Sequence, residues 1–193
     1  FWEIGEGPCG PDSEIFYDRG ESYDKEGLGI RLLQEEIDNS RYVEIWNNVF
    51  SQFNSKEGVN RNDYKELPSK NIDTGMGLER MTCILQGVES SYDTDLFSKI
   101  ISSIEDLSNQ KYDNKREFRI IADHIRTLTF AINDGAIFSN EGRGYVIRRL
   151  LRRAVRFGHN LGIEGKFMAK LVPSVVETMK EYYPELVKNE EKI

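Results

Sequence analysis

The segment NIDTGMGLERM, residues 71–81, carries the strongest indication of fold in this chain. Two glycines, of which Gly75 is the first, bracket a methionine and follow a carboxylate and a hydroxyl. Glycine has no Cβ, so a small ligand can approach the backbone closely at such positions. Asp73 can then hold an ammonium group, and Arg80 can reach a phosphate. The same pattern is also typical of a glycine-rich turn before a helix, with Asp73 or Thr74 as its cap.

The composition is that of a globular protein with a packed core. The 193 residues suffice for one domain or two small ones, and 38% hydrophobic and 31% charged residues exclude a disordered chain. No apolar run approaches the length that spans a bilayer, so no membrane partner is expected. Cys9 and Cys83 lack metal-type spacing, and His124 and His159 have no matching motif. The cysteine usage favours a reducing, cytoplasmic location.

Two segments predict β-strands and five predict helices. Residues 13–18 and 41–54 are rich in β-branched and aromatic residues and are bounded by Gly, Asn and Asp. From Gly77 onward, apolar residues recur at helical spacing. The predicted helices cover residues 77–88, 93–109, 118–136, 143–162 and 167–183.

These elements predict an α+β fold in two parts. The strands and the first helices occupy residues 1–108, whereas residues 116–193 contain helices alone. The charged residues divide in a similar way. Asp and Glu dominate residues 12–66, whereas arginine is concentrated in the helical part. The polar stretch NQKYDNKRE, residues 109–117, is the predicted linker between the two parts.

A cationic helix face lies within GYVIRRLLRRAVRFG, residues 144–158, although the chain has a formal net charge of −7. At about 100° per residue, five arginines fall on one arc, opposite an apolar arc that includes Ile147 and Ala154. Arginine suits phosphate oxygens, and like charges at four-residue spacing destabilise a helix. The face therefore indicates a phosphate-bearing partner or, alternatively, a solvated surface neutralised by nearby carboxylates. The five residues are Arg148, Arg149, Arg152, Arg153 and Arg156.

Several long segments resemble the alanyl-tRNA synthetase family of class II aminoacyl-tRNA synthetases. IDTGMGLERM resembles motif 3 of the class II enzymes, and RYVEIWNNVFSQFN resembles the family's EIWN…F.QFN strand. FWEIGEGPCGPDSEIFYDRG, residues 1–20, resembles the family's FW…GPCGPCSEIFYD segment, with Asp12 where a second cysteine is frequent. GVESSYDTDLF resembles SNYDTDLF, and residues 119–158 resemble the segment that leads into the tRNA-recognition region.

The resemblance implies an internal piece of a longer enzyme. Residues 1–108 correspond to a partial catalytic domain, with part of the class II antiparallel sheet and motif 3. Residues 116–193 correspond to the start of a helical tRNA-recognition region. Motif 2 of the family supplies an arginine to the ATP α-phosphate, and neither motif 1 nor motif 2 occurs in these residues. The 193 residues alone are therefore expected to be inactive. Zinc is expected only in the family's editing domain, which these residues do not include.

The family's reaction implies ligands for the first part of the chain. The family activates alanine with ATP and magnesium to give alanyl-adenylate, and it transfers the alanyl group to the 3′ end of alanine tRNA. By resemblance, Asp73 holds the ammonium of alanine, and Asn47 with Trp2 contacts its carboxylate end. Gly75 lines the pocket, where a missing side chain leaves room for the methyl group. The alternative for Trp2 is a place in the core.

Two further residues carry the ATP and metal predictions. By resemblance, Arg80 meets the ATP γ-phosphate. Glu44 lies three residues before Asn47, a spacing that often holds magnesium in class II enzymes. The alternative for Glu44 is a charge at the edge of a strand, and the alternative for Arg80 is a part in helix capping.

The second part of the chain carries the tRNA predictions. By resemblance, the arginine helix and Arg143 contact the sugar-phosphate backbone of the tRNA acceptor stem, which positions the tRNA but does not specify it. Asn140 in SNEGRGY is predicted to help read the G·U pair of alanine tRNA in the wide, shallow minor groove of A-form RNA. A helix cap or turn is the alternative role for Asn140. A stand-alone RNA-binding helical module without catalysis is the alternative function, although such a module has no use for the segment at 72–81.

Overall fold

In the computed structural model, which describes residues 1–193, the strands come first in the chain and most of the helices follow. The chain divides between Leu85 and Gln86 into two units, each with its own set of internal contacts. The architecture is α+β, as predicted, and it consists of one antiparallel sheet and seven α-helices.

The first unit is built on the long strand β3, which pairs antiparallel with every other strand. The predicted strands at 13–18 and 41–54 are confirmed as β2 and β3. A strand also covers the first half of the segment at 71–81, because its residues pair with β3 and do not form a turn. The four strands are β1 (Gly7–Cys9), β2 (Asp12–Asp18), β3 (Tyr42–Ser55) and β4 (Lys65–Met76).

The helices confirm the predicted periodicity. All five predicted helices are present, and the last four each bury one apolar face in the helical core, as amphipathic helices of globular proteins do, whereas the first, predicted at 77–88, buries only Cys83. No helix combines the length and the apolar character that crossing a membrane requires. The helices are α1 (Arg31–Gln34), α2 (Leu78–Gln86), α3 (Asp95–Ser108), α4 (Arg116–Asn133), α5 (Gly142–Asn160), α6 (Met168–Met179) and α7 (Glu185–Asn189).

The core of the second unit depends on close packing of α5. A Cβ on Gly158 would lie 2.1 Å from Cζ of Phe167, so only glycine lets the aromatic ring reach the helix backbone. Phe167 is almost fully buried. Ala154, which lies one turn before Gly158 on the same face of α5, is fully buried as well. This packing turns the opposite face of α5 outward.

The division between the units lies earlier than the predicted linker at 109–117, which separated residues 1–108 from 116–193. Helix α3 belongs with the second unit, because Phe97, Ile100 and Ile104 are buried in the helical core. The polar stretch after α3 is a connection inside that unit, where the Gln110 side chain donates to the Leu161 carbonyl at 2.9 Å. Polar composition alone therefore does not separate a turn between packed helices from a linker between domains.

Candidate active site and nucleic-acid interface

Strand register gathers three of the four predicted amino-acid-binding residues on one face of the sheet. Asn47 in β3 pairs with Glu14 on one side and with Gly75 on the other. Directly paired residues of antiparallel strands point to the same face, and alternate residues of one strand share a face. Asp73, two residues before Gly75 and paired with Val49, therefore lies on this face as well. We call this surface the acidic face.

A β-bulge brings Glu44 onto the acidic face. Glu14 and Phe16 share a face of the regular strand β2, and their partners in β3 are Asn47 and Glu44. The pairing shifts by one residue between them, so Ile45 is the extra residue of a bulge. Residues three apart point to opposite faces of a regular strand. The bulge therefore places Glu44 beside Asn47 despite that spacing.

Arg80 reaches from α2 to the bulged part of β3. Its Nη1 donates to Oε2 of Glu44 at 2.8 Å and to the Glu44 carbonyl oxygen at 3.1 Å. A Cβ on Gly77 would lie 3.2 Å from Cδ of Arg80, so the second glycine of the motif leaves room for this side chain. The ion pair is half exposed at Arg80, with 53% of that side chain accessible. The guanidinium is therefore open to a further anionic partner.

Asp73 and Gly75 are open to a ligand. The Asp73 side chain is exposed and forms no hydrogen bond or ion pair with the protein. No heavy atom lies within 4 Å of the position that a Cβ on Gly75 would take. Capping of α2 by Asp73 or Thr74 is not observed, because both lie in β4 and the Thr74 hydroxyl donates to Oδ1 of Asn48 at 2.8 Å. Asp73 is thus a carboxylate without a structural partner.

Asn47 is held by Glu14, a residue that the sequence did not single out. Nδ2 of Asn47 donates to Oε1 of Glu14 at 3.2 Å. The opposite amide orientation would bring two acceptor oxygens together, so Glu14 determines which way the amide points. Oδ1 of Asn47 is buried without a hydrogen-bond partner. Only the pairing of β2 with β3 reveals the link, since the two residues lie 33 positions apart.

Trp2 is fixed beside β3 through its backbone and its ring nitrogen. The Trp2 amide donates to the Gly10 carbonyl oxygen at 2.9 Å, and its indole Nε1 donates to the Phe50 carbonyl oxygen at 2.9 Å. A Cβ on Gly10 would lie 2.0 Å from the Phe50 oxygen, so this approach requires glycine. The indole N–H is therefore engaged, and the partly buried ring is what Trp2 offers a ligand.

The residues around Glu44 do not fit a magnesium ion as they stand. Magnesium takes an octahedral set of oxygen ligands, usually one or two carboxylates with waters and substrate phosphates. The Glu44 carboxylate already accepts from Arg80, and no three Asp, Glu, His or Cys side chains form a cluster that could hold a metal. Magnesium binding by Glu44 stays a prediction.

The arginine face of α5 is exposed and unneutralised. All five of its arginines are exposed, and none forms an ion pair with a carboxylate. The hydrogen bond from His124 is the largest cause of the lowered pKa of Asp123, and the positive charges of Arg126 and then Arg153 contribute after it. The alternative of a surface neutralised by ion pairs is therefore not what the structure contains.

Asn140 lies just before α5 and contacts its arginine face. Nη1 of Arg148 donates to Oδ1 of Asn140. Glu141, not Asn140, occupies the N-cap position, so Asn140 does not cap this helix. A Cβ on Gly144 would lie 2.2 Å from the Ile137 carbonyl oxygen, and glycine there lets the preceding loop rest on the first turn. Asn140 and Arg143, which follows in that turn, are both exposed.

Comparisons with known proteins agree over the whole chain. The family model described as tRNA synthetases class II (A) matches residues 1–193. The alanine–tRNA ligase of Lactococcus lactis subsp. cremoris (strain MG1363) is 61% identical over 194 residues, which are 99% of this chain and 22% of that protein. The alanine–tRNA ligases of Streptococcus thermophilus (strain ATCC BAA-491 / LMD-9) and Streptococcus sanguinis (strain SK36) are 58% and 57% identical over the same shares.

This chain thus spans about a fifth of the length of the curated relatives it matches, since the aligned part is 22% of each. The antiparallel sheet, the helical second unit and the motif at 71–81 agree with the match. The chain belongs to the class II (A) family of tRNA synthetases.

Proposed function

We propose that this chain is part of an alanine–tRNA ligase that activates alanine with ATP and transfers it to the 3′ end of alanine tRNA. The observation that carries the proposal is the acidic face. Strand pairing brings the unpartnered Asp73 carboxylate next to Gly75 and Asn47, and Arg80 reaches the bulge on the same strand. Asp73 can bind an ammonium there, Gly75 leaves room for a methyl group, and Arg80 can bind a phosphate.

Alanine binding uses the open part of the acidic face. The Asp73 carboxylate accepts from the ammonium of alanine, because no protein group competes for it. Gly75 leaves the space for the methyl group. Asn47 and the ring of Trp2 lie around the carboxylate of alanine. A pocket shaped for a methyl group rejects an added hydroxyl or a lost methylene by only about 1–3 kcal/mol. Serine and glycine are therefore expected to be activated as well.

Activation is a displacement at the α-phosphorus of ATP. A carboxylate oxygen of alanine forms a bond to the α-phosphorus, and the bond from that phosphorus to the oxygen bridging the β-phosphate breaks. Pyrophosphate leaves with the electron pair. Arg80 contacts the γ-phosphate, which competes with the Glu44 carboxylate for the guanidinium. The protein acts by positioning and by charge stabilisation, without a covalent nucleophile. Magnesium carried by ATP would shield the negative charge of its phosphates.

Transfer completes the reaction. A ribose hydroxyl of the terminal tRNA adenosine attacks the carbonyl carbon of the adenylate, and AMP leaves. The α5 arginines and Arg143 contact the phosphates of the acceptor stem. Because Oδ1 of Asn140 accepts from Arg148, the amide nitrogen is the group that remains to donate to a base edge. Asn140 thus reads an acceptor of the G·U pair in the minor groove.

The 193 residues by themselves are expected to be inactive. They contain no motif 2 and so no arginine for the α-phosphate, a kind of donor that is worth several kcal/mol of barrier. A cytoplasmic location goes with this function. The helical second unit has its own core and its own arginine face, which favours RNA binding without catalysis as the second candidate function.

Pyrophosphate exchange separates the two candidates. The complete protein that contains this chain should exchange pyrophosphate into ATP in response to alanine, and it should charge alanine tRNA. The 193-residue polypeptide should exchange more than a hundredfold more slowly. RNA binding by the complete protein without alanine-dependent exchange would overturn the synthetase proposal and leave the RNA-binding module.

A further inference from the structure

A groove of about 810 Å³ lies between the start of α4 and the outward side of α5. Arginines line it from both helices, and no carboxylate contributes to its wall. Four of these arginines belong to the face predicted from the sequence, whereas the fifth, at the first position of α4, does not. The lining arginines are Arg116, Arg149, Arg152, Arg153 and Arg156.

Arg116 occupies an electrostatically unfavourable position in the protein. It is the first residue of α4, and a cation at a helix N-terminus interacts unfavourably with the helix dipole. Its side chain is exposed and forms no ion pair, and it shares the groove with four other guanidinium groups. No carboxylate of the protein offsets this repulsion, which an anionic partner would relieve.

Aromatic rings lie against three of the five guanidinium groups of the groove. Cζ of Arg116 lies 5.8 Å from the centroid of the Phe157 ring, and Cζ of Arg153 lies 6.0 Å from the same centroid. Cζ of Arg149 lies 6.0 Å from the Tyr145 ring centroid. Cation–π contacts restrict the arginine side chains, so less conformational entropy is lost when a ligand binds. The ring of Phe157 thereby couples α4 to α5 in one binding surface.

The charge and size of the groove identify the chemistry of its occupant. Five arginines without an acidic partner can bind several phosphates, because arginine binds phosphate oxygens bidentately. A cavity of about 810 Å³ is larger than one phosphate needs, which fits consecutive phosphates of a nucleic-acid backbone. Arg148 does not line the groove and contacts Asn140, so the five arginines of the predicted face divide into four that line the groove and one that contacts Asn140.

We propose that Arg116 joins the arginines of α5 to form one groove that binds the RNA backbone across both helices. The inference rests on the proposed tRNA function and adds α4 to the tRNA contact. The sugar-phosphate backbone of the RNA therefore crosses from α5 to the start of α4 and does not run along α5 alone.

The experiment compares Arg116→Ala with Lys115→Ala in the complete protein. Lys115 is the adjacent exposed cation, does not line the groove, and donates to Gln110 at 2.9 Å. Affinity for alanine tRNA is measured as a function of salt concentration. Arg116→Ala should weaken binding severalfold and lower the salt slope by roughly one, as loss of one phosphate contact does. Lys115→Ala should change neither quantity.

The outcomes separate this inference from the function on which it rests. If Arg152→Ala lowers the salt slope while Arg116→Ala behaves like Lys115→Ala, the groove across two helices is wrong and the α5 contact stands. If neither arginine variant changes binding or slope, the tRNA contact itself is wrong. Circular dichroism and melting establish that each variant is folded. Arg116→Gln, which keeps most of the side chain, takes the place of Arg116→Ala if the latter unfolds.

Discussion

Arg80 and Glu44 are partners across 36 positions of sequence, joined by a 2.8 Å contact from Nη1 to Oε2. The residue proposed for the γ-phosphate is thus bound to the residue predicted for magnesium. A triphosphate that binds Arg80 competes with the Glu44 carboxylate, so the strength of this ion pair affects ATP binding. Because both side chains are partly exposed, the pair itself is worth no more than about 1 kcal/mol.

Glu44→Gln is expected to lower the KM for ATP by less than about fivefold and to leave the KM for alanine unchanged. The amide removes the competing charge, and the gain is limited to the energy of an exposed ion pair. Steady-state pyrophosphate exchange measures both constants. A loss of activity that higher magnesium concentration restores would instead identify Glu44 as a metal ligand and contradict this role.

Asp73→Ala is expected to raise the KM for alanine far more than that for ATP. Loss of the carboxylate leaves the ammonium of alanine without its counter-charge, which costs roughly 2–5 kcal/mol of binding free energy. Asp73 makes no contact within the protein, so the melting temperature should stay unchanged. Asp73→Asn is the matched variant, which keeps the shape and removes the charge. A raised ATP KM with an unchanged alanine KM would show that the assignment is wrong.

Arg152→Ala and Asn140→Ala are expected to affect tRNA binding in different ways. Arg152→Ala should weaken binding to all tRNAs equally and lower the salt slope by roughly one. Asn140→Ala should keep the slope and lose about 1–3 kcal/mol of discrimination between a G·U and a G·C stem, by analogy with base contacts in DNA. Filter binding with the two stems over a salt series measures both effects. Equal losses for both stems in the Asn140 variant would make that residue structural.

Arg41→Gln is expected to raise the pKa of Asp18 from about 2 toward its ordinary value of 3.8. Hydrogen bonds from Arg41, at 2.8 Å and 2.9 Å, are the largest cause of the lowered pKa, followed by the Gly20 amide. A folded-state pKa below the unfolded value stabilises the fold above about pH 4, and that contribution is lost as the pH falls toward 2. Carboxyl NMR titration measures the shift.

The matched control for that titration is Arg31→Gln. Arg31 forms an exposed ion pair with Glu35 at 2.8 Å and has no contact with Asp18. The pKa of Asp18 should therefore not change in this variant. An unchanged pKa of Asp18 in Arg41→Gln would contradict the role assigned to Arg41.

Gly158→Ala is expected to destabilise the helical unit by about 1–3 kcal/mol, as overpacking of a core does. A Cβ there would lie 2.1 Å from Cζ of Phe167, which is almost fully buried. On an exposed helix face the same change would stabilise, because alanine favours helix more than glycine does. Urea denaturation measures the loss. The double variant with Phe167→Leu should recover part of it, and an unchanged stability of Gly158→Ala would refute the close packing.

Local patterns predicted much of the fold. The strands at 13–18 and 41–54 and all five helices follow from periodicity and composition, which reflect interactions within a few residues along the chain. β4 was not predicted, because its sequence is mostly polar, contains a glycine and has little strand propensity of its own. Pairing with β3 makes that segment a strand.

The sequence by itself determined the α+β class, the family motifs and the types of residue that we propose bind the substrates. The tertiary structure alone decided which of them meet. The bulge at Ile45 places Glu44 beside Asn47, Glu14 orients that amide, and Arg116 joins the α5 groove. These relations depend on strand register and helix packing between residues far apart in the chain. No local pattern encodes them, because each partner looks the same in sequence whether or not the other lies beside it.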